Sequence, residues 1–178
     1  THYVEESDEL IWMSERDGWN HLYLIDLNDG HVKHQITSGE WVVRGVEKVD
    51  VAARQIWFRA GGYYPDQDPY YVHLGRVDFD GKNLEILTEG NGTHSWQFSP
   101  DRRWFVDTWS RVDLPPVNEL RHSATGERVC LLEEADWSRL LDIGWTAPER
   151  FVAKARDGKT DIYGIIIRPL NFDPAKSY

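Results

Sequence analysis

Apolar positions along the chain fall in short runs of four to eight, broken at regular intervals by Gly, Asp, Asn and Pro. Leu10-Ile11-Trp12-Met13 is a continuous apolar run, as expected of a strand covered on both faces. Leu22-Tyr23-Leu24-Ile25 is a second such run, and the stretch from Val32 to Ile36 alternates. Asn28-Asp29-Gly30 between the last two is a hairpin signal. A short strand at His2-Tyr3-Val4-Glu5 completes a four-stranded unit over residues 2–37.

The unit repeats. Asp29-Gly30 returns as Asp80-Gly81 at an offset of 51, which also carries Thr37 to Thr88 and Gly39 to Gly90. Leu10-Ile11-Trp12-Met13 returns as Gln55-Ile56-Trp57-Phe58 at an offset of 45, and 45 again separates Gly81 from Gly126 and Leu87 from Leu132. The second unit covers 42–88, with a Gly- and Pro-rich connection from Gly61 to Pro69. The third covers 94–132, with strands at Ser95–Phe98, Trp104–Val106, Val117–Arg121 and Arg128–Leu132 and a loop from Arg111 to Pro116. Four short strands in about 45 residues is the period of a β-propeller blade. A leucine-rich repeat is shorter, a helical solenoid would show a 3.6-residue period, and a β-sandwich has no need of matching turns at matching offsets. The expected fold class is all-β: a fragment of about three four-stranded antiparallel blades over 1–132. Residues 133–178 form a separate linking piece, with a short helix over Glu133–Leu141 and a β-hairpin over Glu149–Ala155 and Tyr163–Ile167.

Composition narrows the function. A net charge of −10 argues against a nucleic-acid partner. No apolar run approaches the ~18 residues of a membrane span. The single cysteine, Cys130, excludes an internal disulfide framework, and its apolar run Val129-Cys130-Leu131-Leu132 predicts a core position. Nine tryptophans and eight tyrosines suit half-buried β surfaces. Trp12, Trp57 and Trp104 sit in strand patterns and are assigned to the core. Trp19, Trp41 and Tyr63-Tyr64 offer the alternative of a carbohydrate-stacking platform.

Reactive constellations are missing. There is no Gly-x-Ser-x-Gly elbow, phosphate-binding glycine loop, His-Glu-x-x-His or Cys-x-x-Cys. His31 and His34 lack a third metal ligand and read as solvated. Glu5-Glu6 and Glu133-Glu134 are adjacent acids that read as surface pairs. No catalytic, cofactor-binding or metal residue is assigned, and no cofactor is expected. Position 1 is not a methionine and carries no signal peptide, so the chain reads as a piece of a larger protein.

The stretch Trp12–Tyr23 followed by Gln35–Trp41, and Gly92-Thr93-His94-Ser95 leading into Phe98-Ser99-Pro100-Asp101, resembles the propeller of dipeptidyl peptidase IV-like enzymes. Ala155–Gly164 through Arg168–Asp173 resembles the lead-in to their α/β-hydrolase domain. The resemblance implies a parent that is a prolyl oligopeptidase-type serine exopeptidase, exported to the periplasm or cell exterior, that removes N-terminal dipeptides. It implies an eight-bladed propeller of which this chain holds roughly the last three blades. The family's Ser, Asp and His would lie beyond Tyr178 and its substrate-binding glutamates before Thr1, so the chain alone should be inactive. The implied partners are the catalytic domain and a peptide. Bare outer sheet faces would favour homo-oligomers. A free-standing interaction propeller is the competing reading.

Strand order predicts two unlike ends. Glu15–Trp19, Glu40–Trp41, Gly61–Pro69, Asn91–Thr93 and Arg111–Pro116 should share one face, with only tight turns opposite. The long-connection face is expected to meet the catalytic domain and gate access to it.

Overall fold

The computed structural model describes residues 1–177. Among them, three four-stranded antiparallel sheets form as meanders in chain order. The first holds β1 (His2–Val4), β2 (Glu9–Ser14), β3 (His21–Asp26) and β4 (Val32–Gln35). The second holds β5 (Val42–Asp50), β6 (Gln55–Gly61), β7 (Val72–Asp78) and β8 (Glu85–Ile86). The third holds β9 (Thr93–Phe98), β10 (Trp104–Arg111), β11 (Leu114–His122) and β12 (Arg128–Glu134). A short helix, α1 (Ser138–Asp142), precedes a hairpin of β13 (Glu149–Lys154) and β14 (Asp161–Ile166).

The side-chain alternation of the strands sets what packs between sheets. Ile11, Leu22 and Leu24 turn toward the second sheet and meet Ile56, Phe58, Ala60 and Val77 in one core. The opposite face of the second sheet gives Leu74 and Trp57 to a second core with Phe105, Trp96 and Phe98. Cross-strand from Phe58 stands Gly75, and a Cβ there would lie 2.5 Å from the Phe58 ring. The missing side chain is what lets the ring lie flat across β7.

Turns at the tight end interlock neighbouring sheets. Gly81 has φ +82°, and its Cβ position is 3.0 Å from the Ile36 carbonyl of the preceding sheet; Gly126, φ +72°, sits 2.7 Å from the Leu87 backbone. The repeated glycines therefore serve the packing of sheet on sheet as well as the turn. The first connection of each sheet holds one non-glycine residue in the left-handed region: Asp8, Arg54 and Arg102, at φ 48°, 52° and 55°. Glu9 is buried between the first two sheets, where Arg54 Nη1 and Lys33 Nζ each donate to it at 2.9 Å.

Four local expectations are corrected. Glu133 and Glu134 do not begin a helix; they extend β12, paired with Asn118 and Val117, because sheet pairing overrides the short helical pattern. Pro115 and Pro116 are not in a loop but near the start of β11, opposite the register shift between Trp109 and Arg111, where missing N–H donors are tolerated, so the β10–β11 connection is tight. Cys130 is exposed, as are Val129, Leu131 and Leu132. Their strand is the last of its sheet, pairs only with β11 and has neither face covered. Trp12 is 41% exposed because its face of β2 turns away from the second sheet, while Ile11 turns in.

Candidate functional site

The long-connection end is organised by a file of rings crossing all three sheets. His21 meets Trp41 edge-on, Trp41 meets Tyr63, Tyr63 meets Tyr64, and Tyr64 meets His73. His73 then meets His94, and His94 stacks on Trp109. The histidines are placed by a repeated hydrogen-bond pattern. His21 Nδ1 pairs with Thr37 Oγ1 at 3.1 Å and Nε2 with the Gly39 carbonyl at 2.9 Å. His73 Nδ1 pairs with Thr88 Oγ1 at 3.2 Å and Nε2 with Gln67 Oε1 at 3.0 Å. In both sheets the threonine hydroxyl also accepts the next backbone N–H, from Leu22 and Leu74. The 51-residue repeat of threonine is thus a capping device for the start of the third strand.

The third sheet replaces that pattern with a buried ionic network. His94 Nδ1 lies 2.9 Å from Asp107, Arg121 Nε is 3.3 Å from Asp107, and Arg121 Nη2 is 2.7 Å from Glu119. Arg121 also donates to the Gly126 carbonyl at 2.8 Å, and Arg128 reaches Glu119 at 3.1 Å. Burial alone would raise the Glu119 pKa, but the guanidiniums of Arg121 and Arg128 outweigh it and hold it below the usual carboxylate range. A buried His–Asp pair has the makings of an acid–base dyad. Here His94 Nε2 is occupied by the Gly90 carbonyl at 2.8 Å and both side chains are closed to solvent, so the pair braces the sheet. Sequence reasoning missed this network. Its signal was Asp107, a carboxylate at an inward position of β10, two residues from Phe105.

The hairpin β13–β14 lies on the same end of the sheets. Arg150 donates to Asp113 at 3.1 Å, in the β10–β11 connection, and to the Tyr71 hydroxyl at 3.1 Å, at the end of the β6–β7 connection. Tyr70 and Tyr163 meet edge-on across the gap. Between them opens a cleft of about 610 Å³, lined by Pro65, Asp66, Tyr70, Val112, Phe151 and Ile165 among others.

The other flagged residues are scattered. His31 bonds its neighbour Asp29, and His34 Nε2 pairs with the Phe79 carbonyl at 2.7 Å, locking the first sheet to the second. Among the described residues no group of three His, Cys, Asp or Glu is placed to hold a metal. Glu5 and Glu6 lie exposed in a 3-10 turn, and Glu133 and Glu134 alternate along exposed β12. A sugar platform is not formed, because Trp41 is 7% exposed and Tyr63 and Tyr64 belong to the ring file, leaving Trp19 on its own. No helix among the described residues is long and apolar enough to cross a membrane.

A family model for the dipeptidyl peptidase IV (DPP IV) N-terminal region matches residues 1–116, the stretch that holds all of the first two sheets. The chain belongs to this family. It is 23% identical over 180 residues to dipeptidyl peptidase 4 of Arthroderma otae, covering 98% of this chain and 22% of that protein. Against dipeptidyl-aminopeptidase B of Aspergillus niger the identity is 26% over 172 residues, covering 91% and 18%. The crystal structure of Porphyromonas gingivalis dipeptidyl peptidase 4 shares the fold, with a TM-score of 0.72 at 24% identity over 99% of this chain and 24% of that one. The chain therefore spans about a fifth of the length of the curated relatives it matches. Its sheets are three consecutive blades of a DPP IV-type β-propeller.

Proposed function

We propose that this chain is the non-catalytic propeller part of a dipeptidyl peptidase IV-like serine exopeptidase, and that its long-connection face gates peptide access to an α/β-hydrolase domain. The blades take residues up to Glu134 and the segment from residue 135 links them to that domain. The observation that carries this reading is the side on which the link lies. Arg150 ties the hairpin to Tyr71 and Asp113, both on the long-connection face. A link tied to the tight-turn end would have opposed it. Family membership and the likeness to dipeptidyl peptidases support the peptidase class.

Incubating the purified chain with a dipeptidyl chromogenic anilide should give no turnover; measurable hydrolysis by the chain alone would sink the non-catalytic reading. Gating is tested in the longer parent protein. Arg150→Ala and Tyr71→Phe should alter kcat/KM for a decapeptide more than for the anilide, whereas equal changes for both would contradict a gate. The outward faces carrying Tyr3 and Trp12 should drive self-association of the isolated chain. A single monomer boundary in sedimentation velocity at high concentration would argue against that.

A further inference from the structure

A second cleft, of about 360 Å³, opens between the second and third blades, lined by Arg44, Glu47, Arg59, Val72 and residues 93–96. β5 pairs only with β6 and β9 only with β10, so each is an edge strand of its sheet; the β5 edge is already taken at Val43 by Asn20 of the first blade, which leaves the β9 edge as the one facing the cleft. Four consecutive residues of β9 line the cleft, of both side-chain parities, which means that the cleft runs along the strand's edge. An edge presents unpaired backbone N–H and C=O groups, to which an extended peptide can add.

Arg44 gives this cleft its polarity. Its side chain lies over Gly61, where a Cβ would be 2.4 Å from Nε, so the glycine is what clears the path of the guanidinium. One Nη2 bond to the Pro69 carbonyl at 3.3 Å holds it, and no carboxylate among the described residues lies within ion-pair distance. Arg59, beside it, already has an acidic partner: its Nε donates to Glu47 Oε2 at 3.0 Å, with Nη2 2.9 Å from the same oxygen, and its guanidinium faces the Trp96 ring. In a chain of net charge −10, an arginine without an acidic partner, set in a cleft beside a paired one, is a distinct local cation. A guanidinium with its N–H fork open matches a carboxylate in shape and charge.

We propose that this cleft binds an extended peptide segment bearing a carboxylate, with the backbone against the free strand edge and the carboxylate on Arg44. The site belongs to the chain itself and does not depend on the catalytic reading above.

The test is a titration of the chain followed by tryptophan fluorescence and by the Arg side-chain Nε–H signals in NMR. The probes are an acetylated, amidated pentapeptide with a central Glu, its Gln counterpart, and inorganic phosphate. The Glu peptide should bind about tenfold tighter than the Gln peptide. Arg44→Ala should erase that advantage, and Arg44→Lys, which keeps the charge and the stem, should retain part of it. Lys82→Ala, at the tight-turn end, should change nothing. Far-UV circular dichroism checks that each variant is folded. Equal affinity for the Glu and Gln peptides, or an undiminished preference in both Arg44 variants, would overturn the proposal. Phosphate binding as tightly as the Glu peptide would also overturn it, reducing the cleft to a plain anion site.

Discussion

His73 of the second blade and His94 of the third lie ring to ring, with centroids 4.7 Å apart and planes inclined by 41°. Both are almost wholly buried, and behind His94 stand Asp107 and Arg121. The interface between these blades is therefore polar at one end and apolar at the other, where Leu74, Leu87 and Phe105 meet. Burial, and then the neighbouring His94, push the His73 pKa down to about 4, against the Thr88 carbonyl, which favours its charged form. In the unfolded chain that histidine takes up its proton near 6.5. Stability is then complete above pH 6.5 and falls as the unfolded state gains protons between 6.5 and 4, by about 3 kcal/mol in all. Urea midpoints at pH 7.5, 5.5 and 4.5 should trace this loss. In His73→Gln the slope over the same window should flatten, whatever the variant's stability at pH 7.5. An unchanged slope would sink the assignment.

Glu9 titrates in a lower window. Burial alone would raise its pKa, but hydrogen bonds from Arg54, Ser7 and Lys33 bring it down to about 2. A depressed carboxylate stabilises the fold above its unfolded pKa of 4.5, and the contribution is lost as pH falls from there through 2. Glu9→Gln should cost about 2 kcal/mol at pH 7, allowing for the half-exposed Arg54 and Lys33. The cost should shrink as pH falls below 4.5, because the unfolded chain takes up the Glu9 proton there while the native carboxylate holds out to about 2, and most of it should be gone by pH 2.5. Denaturant unfolding of both proteins at pH 7 and pH 2.5 measures the difference directly.

Two glycines with the same backbone sign should respond unequally to alanine. Gly30 has φ +76° with nothing within 4 Å of its Cβ position. Gly126 has φ +72° but the Leu87 backbone at 2.7 Å. Gly30→Ala should cost about 1 kcal/mol, the left-handed penalty alone. Gly126→Ala should cost more than about 2 kcal/mol, because the turn must also move away from the preceding blade. Equal losses by calorimetry would show that blade contact adds nothing to the turn.

Cys130 should react stoichiometrically with a disulfide reagent in the folded chain, without denaturant, because β12 has neither face covered. A thiol that reacts only on unfolding would contradict the exposure of this strand.

Much of the architecture was legible in the chain as written. Asp29-Gly30 and Asp80-Gly81 marked the third-to-fourth-strand turns, and the spacing of Ile11 and Ile56 marked the second strands. Local periodicity and turn chemistry act within a few residues, and a repeat writes them out several times over. The His-Thr pairing was half visible: Thr37 and Thr88 were seen as markers of the period, but not as the hydroxyls that hold His21 and His73.

The sequence by itself determined the strands, their order, the blade period and the family. Only the tertiary structure decided which faces are covered. Ile11 and Trp12 stand side by side in one apolar run, yet one lies in the core and the other on an outward face, because burial depends on the neighbouring sheet. The same holds for Cys130, for the His94–Asp107–Arg121–Glu119 network and for Arg44 over Gly61. The network and the Arg44–Gly61 approach are made by residues from different strands, and Cys130 is exposed because no neighbouring element covers β12; no local pattern encodes either.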